Sequence, residues 1–295
     1  MIPEYPKFKS IETRDIEQIS QYLNSYSCNV CELNLANLIL WKDFDRPETT
    51  LINNNPCILI NPLNEAPFFL EPLGNNKLTD TIETCLGHTR RLARVSEYFI
   101  HKLGQEKYRI ICHRSHFDYI YLQKDLAELK GKKYDGKRNH INKFTKMCPD
   151  NKFVPIEVKH KKDALELFEK WFEIRKESRF FPKLAYNSQK QAIEKSFKYF
   201  EQLALSGGAI ICNNKLQGFI IGSRLNAETI SVHFAYGHPA VSGITPALFN
   251  KAGKTVFGNY KYINLEQDLG IPGLRKSKLS YHPHHLERKF EIRQK

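Results

Sequence analysis

The chain has 295 residues, of which 41% are hydrophobic and 12% aromatic, and its 45 Lys and Arg against 32 Asp and Glu leave a formal charge of +13. That length and apolar content exclude a disordered tail and suit two lobes of roughly 130 to 150 residues, each with its own core. No apolar run approaches the roughly 20 residues that span a bilayer, and the opening Met1-Ile2-Pro3-Glu4-Tyr5-Pro6 lacks the basic-then-apolar order of an export signal, so the expected address is cytoplasmic.

Taken in chain order, Thr13 to Tyr26 is predicted helical, with Ile16, Ile19, Tyr22 and Leu23 at three- and four-residue steps behind a capping Thr13. The seven cysteines are an odd, scattered set that makes no disulfide framework. Cys28-Asn29-Val30-Cys31 has the spacing of half a zinc or redox site but no second pair, so these thiols are expected to be core and no metal is expected. Cys57 to Ile60 and Phe68 to Leu70 flank Asn61-Pro62-Leu63-Asn64 and predict a hairpin. Thr79 to Leu103 predicts a long helix or helix-turn-helix, broken near Gly87 and closed by Gly104, and Tyr108 to Cys112 a strand.

After Pro149-Asp150-Asn151 the pattern restarts, which sets the expected lobes at 1–148 and 149–295. Asp163 to Ser178 and Ser188 to Ser206 predict helices, the second opened by a Ser188/Gln191 capping box and ended by Gly207-Gly208. Ala209 to Cys212, Leu216 to Arg224 and Thr229 to Tyr236 predict an antiparallel meander. A helix from Thr245 or Pro246 to Phe257 and a strand from Tyr260 to Leu265 follow. The fold class expected is α+β, with mixed, mostly antiparallel sheets flanked by helices.

The charge is focused. Lys130 to Lys146 holds a balance of +6 and Leu274 to Lys295 one of +5, together eleven of the thirteen excess charges, which points to a polyanionic partner. In the first window Gly131 and Gly136 bracket a basic turn ahead of a helix-like segment carrying Ile141 and Phe144. Backbone N–H groups at such a helix start, with Lys132, Lys133, Lys137, Arg138, Asn139 and Asn142 around them, are the expected phosphate-binding residues. The pattern matches neither a P-loop nor a dinucleotide fingerprint, which excludes triphosphate hydrolysis and hydride transfer as readings.

The second window follows Ile263-Asn264-Leu265-Glu266-Gln267-Asp268-Leu269-Gly270 at the end of a strand. If that strand continues, Glu266 and Asp268 share one side, where either serves as a general base; alternatively they pair with Arg275 or Lys278. His282, His284 and His285 crowd around Pro283 too closely for a usual zinc set.

These motifs resemble the phosphatidylglycerol lysyltransferase C-terminal family. The resemblance lies in Leu129 to Tyr134 (Leu-Lys-Gly-Lys-Lys-Tyr), Lys137-Arg138-Asn139, Asn264 to Gly270 (Asn-x-Glu-x-Asp-Leu-Gly), Gly273 to Lys276 and Ser280 to Pro283 (Ser-Tyr-x-Pro), and so spans nearly the whole chain. It implies tandem GNAT-like (acyl-CoA N-acyltransferase) lobes and an acyltransferase activity with no tightly bound cofactor. Aminoacyl-tRNA or acyl-CoA is the implied co-substrate, the acceptor is an amine or hydroxyl, and reversible contact with anionic lipid head groups is compatible with it. On that resemblance Glu266 or Asp268 is the base, Tyr281 joins the catalytic set, and Arg275, Lys276 and Lys278 bind or stabilise the oxyanion. Where family members carry a charged Glu-Lys-Ala step, this chain reads Phe234-Ala235-Tyr236, with His233 and His238 as substitute proton carriers. The competing expectation is a non-catalytic module that binds nucleic acid or other anions on a degenerate transferase fold.

Overall fold

A computed structural model describes residues 1–26, 29–104, 107–174 and 183–295. Cys28 of the paired thiols and the expected helix end at Ser178 lie outside the described residues. The chain divides into two compact units, the first formed by Met1–Asp118, Gln267–Gly270 and Leu286–Lys295, the second by Tyr119–Glu266 and Ile271–His285.

The first unit opens with β1 (Lys9–Ser10), α1 (Ile16–Tyr26), α2 (Leu35–Leu40) and α3 (Lys42–Asp45). The side chain of Asn34 accepts from the amides of Ala36 and Asn37 and so caps α2. β2 (Glu48–Ile52) and β3 (Asn55–Ile60) form a hairpin that the sequence reading missed. Its turn is Asn53-Asn54, both at positive φ (51° and 62°), the geometry a two-residue hairpin needs and asparagine tolerates. The expected pairing of β3 with β4 (Phe68–Phe69) is present, antiparallel.

The long helix expected over Thr79 to Leu103 is instead α4 (Leu78–Thr89), β5 (Leu92–Ser96) and the short α5 (Glu97–Ile100). Arg90, at φ 64°, ends α4 in a left-handed cap. β5 hides from periodicity because Leu92, Ala93 and Val95 are all buried, and a strand covered on both faces does not alternate. β6 (Tyr108–Cys112) stands where expected.

The second unit starts along β7 (Asp118–Leu122) and continues through α6 (Gln123–Glu128), α7 (Asp135–Met147), β8 (Lys152–Pro155), α8 (Lys161–Glu173) and α9 (Lys183–Lys198). Then come β9 (Leu205–Cys212), β10 (Lys215–Arg224), β11 (Thr229–Gly237), α10 (Ile244–Lys254), β12 (Tyr262–Asn264) and α11 (Pro272–Leu279). β13 (His285–Glu287) leads to β14 (Lys289–Gln294), which belongs to the first unit and runs between β5 and β6. This return of the last strand, together with the early start of β7, is why the units part at Asp118/Tyr119 rather than at 148/149.

The first sheet has the order β1-β2-β3-β4-β5-β14-β6 and the second β13-β7-β12-β11-β10-β9-β8. β4 with β5 and β11 with β12 are parallel and most other neighbours antiparallel, so the fold is α+β with two mostly antiparallel sheets. In the second unit two helices, a meander, a helix and a strand reproduce the GNAT-like order.

Gly207 and Gly208 do not end α9. They lie inside β9, where a Cβ on Gly207 would meet the Ile220 carbonyl oxygen and one on Gly208 the ring of Phe153. Ser188 is buried within α9 rather than capping it, because the helix begins at Lys183. We expect Gly207→Ala to cost about 1–3 kcal/mol in denaturant unfolding through overpacking. Gly87→Ala, in α4 with open space around it, should instead gain about 0.4–1 kcal/mol.

Candidate functional site

Strands β11 and β12 run parallel for three residues, Thr229, Ile230 and Ser231 opposite Tyr262, Ile263 and Asn264. β12 then stops while β11 runs on to Gly237, so the pair opens into a fork. Two local devices shape it. The buried Asn264 side chain accepts from the Glu266 amide (2.6 Å) and Glu266 turns left-handed (φ 58°), which ends the strand. On the other side the β10/β11 register shifts, Ile221 facing Phe234 and Gly222 facing Val232, so His233 is the extra residue of a bulge.

The bulge and the turn bring three side chains into line. His233 Nδ1 lies 3.0 Å from Glu266 Oε1 and its Nε2 lies 2.8 Å from Ser223 Oγ, while Ser231 Oγ donates to Glu266 Oε1 at 3.1 Å. A carboxylate only accepts, so Nδ1 carries a proton, and in the neutral ring the Ser223 hydroxyl then donates to Nε2. The His233 side chain is 0% exposed and that of Glu266 19%, which makes Glu266 the member that meets solvent.

The left-handed turn also separates the two carboxylates expected on one side. Glu266 belongs to the second unit and Asp268 to the first, because strand alternation ends at Asn264. Asp268 is fully buried, 3.2 Å from Arg114 and accepting from the Gly270 amide at 2.8 Å, a carboxylate held by its own loop. Lys278 Nζ donates to the carbonyls of Leu265 (2.5 Å) and Glu266 (3.0 Å) and braces the strand end. Tyr121 Oη in turn donates to the Lys278 carbonyl at 2.8 Å.

The first basic window and the 274–285 part of the second, far apart in sequence, meet in the second unit, while Arg288, Lys289, Arg293 and Lys295 belong to the first unit. Lys137 Nζ stands 3.6 Å over the ring of Tyr281 and donates to Ser280 Oγ at 2.7 Å. Tyr134 Oη donates to the Tyr281 carbonyl at 3.1 Å, and His282 Nε2 to the Lys133 carbonyl at 3.0 Å. α7 begins at Asp135, one residue before the glycine expected to precede it. Arg138 folds back onto the Leu129 and Gly131 carbonyls and Asp135, where it closes the basic turn. Asn139 and Asn142 are exposed on α7, Lys276 is exposed on α11 and Arg275 is half-buried there. Lys132, Lys137, Lys143, Lys146 and Lys276 have no carboxylate partner among the described residues.

Burial sets the protonation of this face. It lowers the Lys137 ammonium to about 8 and pushes the Tyr281 phenol above its ordinary value, so Tyr281 is a neutral donor and ring surface at neutral pH. Lys137 therefore carries its charge below about pH 8 and loses it above. We expect the affinity for a single-stranded RNA or polyphosphate, followed by anisotropy at constant ionic strength, to fall as pH rises from 7 to 9. Lys137→Met should flatten that dependence, whereas Lys132→Met should weaken binding at every pH and reduce the salt slope by about 1.

The first unit has its own fork between β4 and β5, filled by protein. The buried Glu71 carboxylate accepts from the Ser96 amide (2.5 Å), Ser96 Oγ (2.9 Å) and Tyr26 Oη (2.8 Å). Elsewhere in that unit Cys31, Glu32 and Asp118 approach metal-ligand spacing, but the Lys289 ammonium lies among them, 2.7 Å from Asp118, 2.5 Å from Glu32 and 3.3 Å from Cys31 Sγ. Burial alone would lower the Lys289 pKa, and the Asp118, Cys31 and Glu32 side chains hold it well above the ordinary lysine value. Lys289→Ala should cost about 3–5 kcal/mol in urea unfolding, since it strands buried carboxylates.

Sequence reasoning named Glu266 and Asp268 as alternative base candidates and listed Lys137 and Tyr281 in separate windows. It named His233 only as a substitute proton carrier and missed Ser223, whose one signal was a polar residue near the end of an apolar strand.

The sequence profile of the family described as "Phosphatidylglycerol lysyltransferase, C-terminal" matches residues 24–293. No curated protein matches this chain in sequence. Among solved structures, a conserved protein of unknown function from Bacteroides thetaiotaomicron VPI-5482 is 28% identical over 100% of both chains, with a TM-score of 0.87. L-PGS from Bacillus licheniformis shares the fold at 15% identity, TM-score 0.62, covering 100% of this chain and 94% of its own. Among the described residues no helix is long and apolar enough to cross a membrane.

Proposed function

Since the chain belongs to the phosphatidylglycerol lysyltransferase C-terminal family, we propose that it works as an acyltransferase, drawing an aminoacyl group from an aminoacyl-tRNA donor and passing it to an amine or hydroxyl. The observation that carries this reading is the β11/β12 fork, with the partly exposed Glu266 carboxylate held across it by His233. In the reaction Glu266 takes the proton of the attacking N–H or O–H as its lone pair bonds the acyl carbon. The ester bond to the donor then breaks, and the same proton goes to the departing ribose oxygen. Desolvation by the surrounding sheet strengthens such a proton transfer.

Acyl-CoA is the other donor in keeping with a polyanion-binding face. The chain carries no Gln/Arg-x-x-Gly-x-Gly/Ala pyrophosphate loop of the kind CoA-dependent relatives use, which favours the tRNA ester. The lysines of α7 and α11 that lack carboxylate partners suit an RNA backbone, and they suit reversible contact with anionic head groups as well. The alternative of a polyanion-binding module without turnover draws support from Phe234-Ala235-Tyr236, where the family's charged step is missing.

The test supplies the protein with a mixed aminoacyl-tRNA pool or with acetyl-CoA, and hydroxylamine as a small acceptor. Hydroxamate should form from the tRNA pool, and Glu266→Gln should lower its rate by about 10²–10⁴-fold with donor affinity unchanged. Tight RNA binding without hydroxamate would favour the module.

A further inference from the structure

We infer that His233 and Ser223 are positioning residues for Glu266: a hydrogen-bonded relay in which Ser223 sets the His233 tautomer and His233 fixes the carboxylate across the fork. The inference rests on the acyl-transfer reading of that site. Ser–His–carboxylate chains also occur with the serine as nucleophile, and exposure decides between the two arrangements. A nucleophilic serine must face the substrate while the carboxylate is buried behind the imidazole. Here the order is reversed, with Ser223 3% exposed at the rear, the His233 side chain at 0%, and Glu266 at 19% in front.

The backbone makes this order deliberate. A regular β11 would alternate His233 with its neighbours in the ladder, whereas the bulge takes it out of register and aims it between β10 and the end of β12. Ser223 stands on β10 beside that bulge, 2.8 Å from Nε2, and its O–H donation keeps the ring proton on Nδ1, facing Glu266. Ser231, the last residue paired before the fork opens, adds a second donor to the same carboxylate oxygen at 3.1 Å. Held from one side by an imidazole and a hydroxyl, Glu266 has its rotamer chosen before any acceptor arrives, which is the condition for efficient proton transfer.

The experiment combines hydroxamate kinetics with ¹⁵N-histidine NMR on the full chain. In the wild type His233 should show a protonated Nδ1 and an unprotonated Nε2, and its signals should shift in both Ser223→Ala and Glu266→Gln. His233→Leu should lower kcat by about tenfold or more with the RNA Kd and the circular dichroism spectrum unchanged. His233→Asn, which keeps a donor where Nδ1 stood, should recover most of that loss, a rescue that a packing role would not produce. Ser223→Ala should lower kcat less than His233→Leu. A ring proton on Nε2 in the wild type, or an active enzyme indifferent to His233→Leu, would overturn the relay alone. A wild type that forms no hydroxamate from either donor would remove the acyl-transfer reading and the relay's role with it. Acylation of Ser223 itself, found by peptide mass spectrometry, would replace the relay by a nucleophile.

Discussion

Two parallel neighbours that separate after three residues are the constraint on which this protein turns. Parallel strands cannot be joined by a tight turn, so α10 must cross between β11 and β12, and the shorter strand must stop somewhere along the longer one. Where it stops, backbone groups of both strands lose their partners. The chain answers with side chains: Asn264 takes the Glu266 amide, Lys278 takes the Leu265 and Glu266 carbonyls, and the His233 bulge fills the space between. The chemistry of the site is assembled from the groups that repair the interrupted ladder.

The two units show opposite solutions to the same geometry. In the first, Glu71 is drawn inward by Ser96 and Tyr26 and closes the fork with protein hydrogen bonds. In the second, Glu266 keeps one side toward solvent. A buried carboxylate whose donors are all internal gains nothing from a ligand, whereas a partly exposed one held by two donors is prepared for a proton from outside. That contrast leaves Glu266, and not Glu71, as the fork carboxylate that meets solvent.

Charge is likewise used in two ways. Lys289 is enclosed by Asp118, Glu32 and Cys31, and its charge is spent on the interior of the first unit. Lys137, Lys143 and Lys146 on α7 and Lys276 on α11 have no carboxylate partner among the described residues, so their charges are left to repel one another. The excess of +13 is therefore not a general property of the surface. Part of it gathers in the second unit where Lys137 meets Tyr281, and part lies in the closing segment of the first unit.

By itself the sequence determined the α+β class, the amphipathic helices, the meander β9–β11 and the two basic windows, and it named Glu266 as a candidate. Each of these is written in local patterns: apolar spacing, turn residues, runs of like charge, and a motif at a strand end. Four things only the tertiary structure decided. β5 is invisible to periodicity because it is covered on both faces, and its neighbour β14 lies at the far end of the chain. Gly207 and Gly208 read as a helix stop, yet the reason for them is a carbonyl on β10 and a ring on β8. Asp268 looks equivalent to Glu266 until a left-handed residue between the strand and the loop sends it into the other unit. Ser223 and His233, ten residues apart on neighbouring strands, become partners only because one bulge shifts the register, and a register is a property of paired strands that no single strand contains.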